Sequence, residues 1–395
     1  MKQFQLNSLV WLLLLVIVLP RFAAATILPE ERADILYHEY DGGGVTIDGP
    51  SLLVRKNFID KVSISANYYV DNVTSASIDV ETYGSPYTEE RTEQTVGVDM
   101  LGDKNIMSFS YTTSSENDYE AETYFFGISQ DFFGDLTNIS IGYGLGNDEI
   151  RATGQPDFEE ELERQNYRVS VSQIITKRLI MGLNFELVTE EGYIQNPYRK
   201  SLILRQEDRT FAEIIENEEY PDTRTSDAVS IRFKYYLPYR AAFRTEFRYY
   251  SDSWDIQGRN IEFGYTHPLE SYPITLDFKY RFYKQSDASF YFDFVDRSDG
   301  SPVPDFHARD KELSSFETLT FGFGVKWEFL PDGWSFIDNA SVSLNYDHME
   351  FKYDNFSDAR IVQSLDTDLS TIDLDDIRRY EFDASVIRFY FTAVY

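Results

Sequence analysis

Apolar and polar residues alternate along most of this chain. In "VSIRFKYYL", Val229, Ile231, Phe233, Tyr235 and Leu237 fall on one side and Ser230, Arg232, Lys234 and Tyr236 on the other. In "FRTEFRYY", Phe243, Phe247 and Tyr249 oppose Arg244, Glu246 and Arg248. "ITLDFKYRFY" sets Ile274, Leu276, Phe278, Tyr280 and Phe282 against Asp277, Lys279 and Arg281. "LTFGFGVKWEF" sets its aromatic face against Lys326 and Glu328, and Glu262 lies in a similar run. The chain ends on "SVIRFYFTAVY", with Ile387, Phe389, Phe391 and Tyr395 on one face and Arg388 and Tyr390 on the other. A period of two predicts strands rather than helices. About nine to eleven tilted residues cross a bilayer, whereas a soluble strand averages about five or six. A dozen runs of the longer kind predict an all-β protein, a transmembrane antiparallel β-barrel.

The connections alternate in length, as barrels with short periplasmic turns and long outer loops require. Short ones fall at 57–61, 101–104, 131–135, 175–178, 237–240, 267–273 and 330–334. Longer or more acidic ones fall at 73–91, 114–118, 147–164, 190–224, 253–257, 286–312 and 353–382. With Tyr395 in the periplasm, the strand at 45–57 points downward and needs a rising partner before it. "RADILYHEY", followed by the glycine turn "DGGG" at 41–44, supplies one. The links then add up to roughly 16 strands, and "YRKSLILRQ" within 190–224 leaves a count of 18 open. The closing strand is expected to pair with the first.

The amino terminus changes the picture. "MKQFQLNSLVWLLLLVIVLPRFAAAT" has a lysine, an apolar run from Leu9 to Leu19 and three alanines, the layout of a secretory signal peptide over 1–25. The barrel then occupies 26–395. The chain has 36 basic and 67 acidic residues; without Lys2 and Arg21 the balance is 34 to 67, a net charge of −33. Such a surface repels nucleic acid and suits divalent cations at acidic loops. There is no cysteine, so no disulfide framework is available. Aromatics make up 16% of the chain, yet mean hydropathy is −0.39, as expected of half-polar strands.

Arg232, Lys234, Arg244, Glu246, Arg248, Glu262, Asp277, Lys279, Arg281, Lys326, Glu328 and Arg388 all sit on polar faces. An arginine or lysine turned to lipid would cost about 2–4 kcal/mol near mid-bilayer, so these faces are expected to look into the lumen. They form either a wet, charged pore with a cation-rich wall or a salt-bridge network that fills a closed barrel. Asp366, Asp368 and Ser370 open like a calcium loop, but Thr371 and Ile377 replace its glycine and closing glutamate, so no metal site is assigned. His307 and His348 are expected near the outer rim, with no nucleophile–base arrangement beside them. No catalytic residue and no cofactor is expected.

The run from "RADILYHEYDGGGVTIDGPSLLVRKNF" to "ETYGSPYTEERTE", with "SSENDYEAET", "ENEEYPDTRTSDAV", "YKQSDASFYFDF" and "ARDKELSSFETLTFGFGVKWEF", resembles an uncharacterised Gram-negative family, domain of unknown function 3570. The resemblance implies an outer-membrane barrel and brings no reaction with it. "FYFTAVY" also looks like the terminal signal read by barrel-assembly machinery, with Tyr395 in place of the commoner Phe. The expected role is a porin-like passive channel. A plugged barrel that docks partners is the alternative, and an outer-membrane enzyme is a third, weaker reading.

Overall fold

The computed structural model describes residues 27–75, 87–204, 211–296, 301–358 and 378–395. The expected signal peptide and the aspartate tract near 366–377 lie outside these residues. Nine strands follow in order: β1 (Arg32–Gly42), β2 (Val45–Phe58), β3 (Val62–Ser75), β4 (Tyr87–Leu101), β5 (Asn105–Ser115), β6 (Tyr119–Phe132), β7 (Thr137–Ala152), β8 (Gln155–Thr176) and β9 (Leu179–Gly192). A connection with β10 (Lys200–Leu204) and β11 (Phe211–Asn217) leads to β12 (Thr223–Tyr236), β13 (Ala242–Asp252), β14 (Gln257–Pro268) and β15 (Ile274–Gln285). A second connection holds β16 (Val295–Asp296), and β17 (Phe316–Leu330), β18 (Asn339–Ser357) and β19 (Arg379–Val394) complete the chain.

Sixteen of these strands close into one antiparallel barrel, in which β19 pairs with both β18 and β1. The extra pair at 190–224 does not enlarge it. β10 and β11 form a separate three-stranded sheet with β16, outside the ring. One expected loop is absent: Asn147–Arg164 is a hairpin in which β7 and β8 run on to a turn at Thr153–Gly154. Its acidic stretch from Asp157 to Glu163 is therefore strand, not loop. The β1–β2 turn is tight, with Gly43 at φ 60° and Gly44 at φ 78°, the left-handed pair that a two-residue hairpin needs.

Alternation sorts the two faces. Leu52, Val54, Phe109, Phe126, Val169, Phe185, Phe247, Phe278, Phe323 and Phe389 are exposed on one side. Opposite them, long side chains meet across an intervening strand: Arg55 with Asp99 over β3, and Arg248 with Glu186 over β12 at 3.1 Å. Such reaches shorten on the concave side of a curved sheet, so this face is the lumen.

The seam is clasped from both sides. Arg32 is opposite Val394, and the Tyr395 amide donates to the Glu31 carbonyl at 3.1 Å. Lys56 of β2 pairs with Glu31 at 2.6 Å and lies over the Tyr395 ring. The Tyr395 hydroxyl donates to the Arg55 carbonyl at 3.0 Å. A phenylalanine there keeps the ring and loses this bond, worth about 1 kcal/mol. Tyr395→Phe should therefore lower the temperature at which the compact band converts to the unfolded band in semi-native electrophoresis. An unchanged conversion temperature would remove the hydroxyl from the seam.

Candidate functional site

Two features of the inner space bear on function: the charged wall and the outer mouth. The sequence-predicted charges pair closely. Arg232 Nη2 meets Glu246 at 2.5 Å, Arg244 Nη2 meets Asp277 at 2.7 Å and Lys279 Nζ meets Asp347 at 2.8 Å. Arg388 shares Asp347, Lys326 pairs with Glu328 at 2.9 Å, and Glu262 lies 3.9 Å from Arg244. The Arg244–Asp277 and Lys279–Asp347 pairs cross above Gly264 and Gly322, where a built Cβ would collide with Arg244 Nε at 2.2 Å and Asp347 Oδ1 at 2.3 Å. Neighbouring strands answer most of these bases with carboxylates, the arrangement of the second of the two readings of the charged faces. Lys234 and Arg281 have no such pair among the described residues.

Sequence reasoning missed the pairs on the other strands. Arg164 meets Glu190 at 2.9 Å, Arg168 meets Glu186 at 3.1 Å, and Arg91 meets Glu93 at 2.9 Å. It also missed His38, whose Nε2 is 2.7 Å from Asp71 Oδ1 and whose ring stacks on Tyr69. Except for Arg91 and Glu93, which are neighbours on β4, these partners lie on different strands and only the strand register brings them together. The inner face of β5 to β7 is different in kind. Ser108, Ser110, Thr112, Thr123, Gly142, Gly144 and Gly146 line it with the ring of Phe125, across the barrel from the charged strands β15 to β18.

The outer mouth is partly filled by a folded cap. Trp254, Ile256, Ala288, Phe290, Tyr291, Ala308 and Leu313, from the connections after β13 and β15, pack on the inner-face rings of Tyr250, Phe316, Phe351, Tyr353 and Phe382. This core occupies the β13–β19 side. The connection after β9 joins it through a backbone pair between Glu219 and His307, with both bonds 2.9 Å. Beside that joint the Glu218 carboxylate, 2% exposed, accepts from the Arg309 amide at 2.7 Å and the Tyr220 hydroxyl at 2.7 Å. Asp310 is next to it and pairs with Arg199.

On the other side a vestibule of about 840 Å³ remains, lined by Glu89, Glu116, Asp118, Tyr119, Tyr198 and Lys200 among others. Tyr198 crosses to it, accepting from the Thr153 amide at 2.7 Å and bonding Asp118. The carboxylates of Glu89, Glu116 and Asp118 lie within 4.8 Å of one another. Burial and neighbouring carboxylates push Glu89 and Glu116 above the usual carboxylate range. His307 is buried in the cap, with Nδ1 3.1 Å from the Pro304 carbonyl. His348 is not at the rim: it lies mid-strand on the lipid side, among Phe321, Phe323 and Tyr346.

A closed sheet with an aromatic outer face and an ion-paired lumen defines a transmembrane β-barrel of the outer-membrane type. Residues 79–350 match the family described as "Protein of unknown function (DUF3570)", and the chain belongs to that family. Among solved structures, a bacterial polysaccharide outer membrane secretin is similar at 11% identity and a TM-score of 0.50, over 92% of this chain and 98% of that one. The siderophore receptor PirA from Acinetobacter baumannii gives 8% and 0.45, covering 91% of this chain and 58% of the receptor. CdiB from the same organism gives 9% and 0.45, covering 91% and 60%. At these identities the likeness is one of fold. No match was found among curated proteins.

The cap joint should respond to pH. Burial, then the nearby Asp310 charge, pushes Glu218 up to about 7. A raised acid binds its proton more tightly in the closed joint than in the open one. Its stabilisation is therefore full below about 4.5 and is lost as pH rises through about 7. Hydrogen-exchange protection of the amides of Glu219, His307 and Arg309 should fall between pH 5.5 and 8, after correction for intrinsic rates. Glu218→Gln should flatten that dependence, and a fall of equal size in the variant would rule Glu218 out.

Proposed function

We propose that this protein is a passive, porin-like conduit in the outer membrane of a Gram-negative bacterium. One observation supports it above the others. The cap core fills the side of the mouth above β13 to β19, while the vestibule opens on the β2–β8 side, whose middle strands present glycine and hydroxyl side chains. The cap core leaves that part of the mouth to the vestibule, and in this reading water passes along the small residues of β5 to β7. In this reading the barrel reaches the membrane through a signal peptide, and barrel-assembly machinery recognises its terminal strand. The Glu89–Glu116–Asp118 cluster supports divalent cations as partners at the mouth. The chain is read as non-catalytic; among the described residues neither His307 nor His348 is placed beside a nucleophile.

The same cap and ion pairs favour a second reading, a plugged barrel that docks partners. Planar-bilayer recording separates the two: stable open steps support a conduit, and silence from folded, heat-modifiable protein supports a plug. Gly144 offers a sharper probe. A Cβ built there meets nothing nearer than 3.6 Å, so a side chain fits without moving the backbone. Gly144→Arg should place a long cation in the open side and cut unit conductance by roughly half. Unchanged conductance would put the water path elsewhere.

A further inference from the structure

Arg281 stands apart on the charged wall. Each other described arginine of the barrel's inner face has a carboxylate within ion-pair distance. Arg281 has none among the described residues. Its cross-strand neighbour Glu262 is turned toward Arg244 instead. Arg281 Nε donates to Oδ1 of buried Asn260 at 2.6 Å, and its guanidinium carbon lies 5.6 Å from the centre of the Tyr283 ring. The group is therefore held in place by its Nε edge, while both Nη groups make no further hydrogen bond among the described residues. Across the ring, on β5, stand the short side chains of Ser108, Ser110 and Thr112.

A planar guanidinium offers two parallel N–H donors to two oxygens of one anion, a match that an ammonium cannot make. An oriented but unmatched arginine in a lumen of matched pairs is built to receive such a group. We propose that Arg281, positioned by Asn260 beside the Tyr283 ring, is a binding station for an oxyanion group, phosphate or carboxylate, carried by a solute in transit. The inference rests on the conduit reading and gives that conduit a substrate class.

The test uses the full-length barrel in planar bilayers with symmetrical KCl, titrated in separate arms with inorganic phosphate and with citrate. Conductance should fall with concentration in at least one arm, which identifies the preferred oxyanion. Arg281→Gln should raise the half-blocking concentration about tenfold, and Arg281→Lys, which keeps the charge and loses the fork, by less. Asn260→Ala should weaken block without altering unit conductance, and Lys326→Gln should leave block unchanged. Heat-modifiable migration checks that each variant is folded. A conducting wild type that neither anion blocks, or an Arg281→Gln variant blocked as well as wild type, overturns the station and leaves the conduit standing. A silent wild type overturns the conduit. The station is then judged by ³¹P line broadening of phosphate on detergent-folded protein, where broadening lost in Arg281→Gln supports it and its absence in wild type overturns it.

Discussion

In hydrocarbon, a backbone N–H or carbonyl without a partner costs several kcal/mol, and no water is present to supply one. An open sheet would leave two such edges. The seam between β1 and β19 removes them, and the rest of the molecule depends on it. With Arg32 opposite Val394, the faces of the first and last strands agree, because a slip of one position would turn the apolar side chains of the slipped strand inward and its charges into lipid. Glu31, Lys56 and Tyr395 bind across the junction at the periplasmic rim, where the last strand must find the first.

Closure creates a second requirement. Charges barred from lipid crowd into a narrow lumen, and each must be hydrated or paired. The barrel pairs most of them, and it sets several of the partners two strands apart. That spacing works where the strand between them carries no side chain, as at Gly264 and Gly322. These glycines sit in strands that otherwise favour aromatics. Their role is to clear the path of the Arg244–Asp277 and Lys279–Asp347 pairs rather than to bend the backbone.

Much of the barrel was legible in the sequence because its two governing signals are local. Period-two alternation needs about ten consecutive residues, and a hairpin needs a glycine pair such as Gly43–Gly44. Those suffice for strand number, for the partnership of the first and last strands, and for the polar face that carries Arg232 or Lys279. What stayed hidden depends on distant registers. His38 and Asp71 meet because three strands align, and no local spacing encodes their 2.7 Å contact. The cap was hidden for another reason. Its core residues, among them Trp254, Phe290 and Leu313, are scattered through polar connections whose composition reads as solvated loop, and they become a core when Phe351 and Phe382 of the barrel wall complete it. The hairpin at Asn147–Arg164 was misjudged because acidic residues at its tip suggest a loop, although a strand that has left the membrane can be acidic on both faces.

The pairing inside the lumen also decides how a single charge acts there. The field of an ion pair falls off faster than that of a lone charge, so a wall of matched pairs contributes little beyond its immediate surface. An unmatched charge keeps its full reach: at 4 Å it is worth about 1 kcal/mol in bulk water and about 4 kcal/mol at an effective dielectric constant near 20. In a wall built as Arg232 with Glu246, Arg244 with Asp277 and Lys279 with Asp347, the potential felt by a passing solute is therefore set less by the number of charges than by the few left over. Arg281 is one of those. Its orientation by Asn260 means that the entropy of holding the guanidinium still is spent on folding, before any anion arrives.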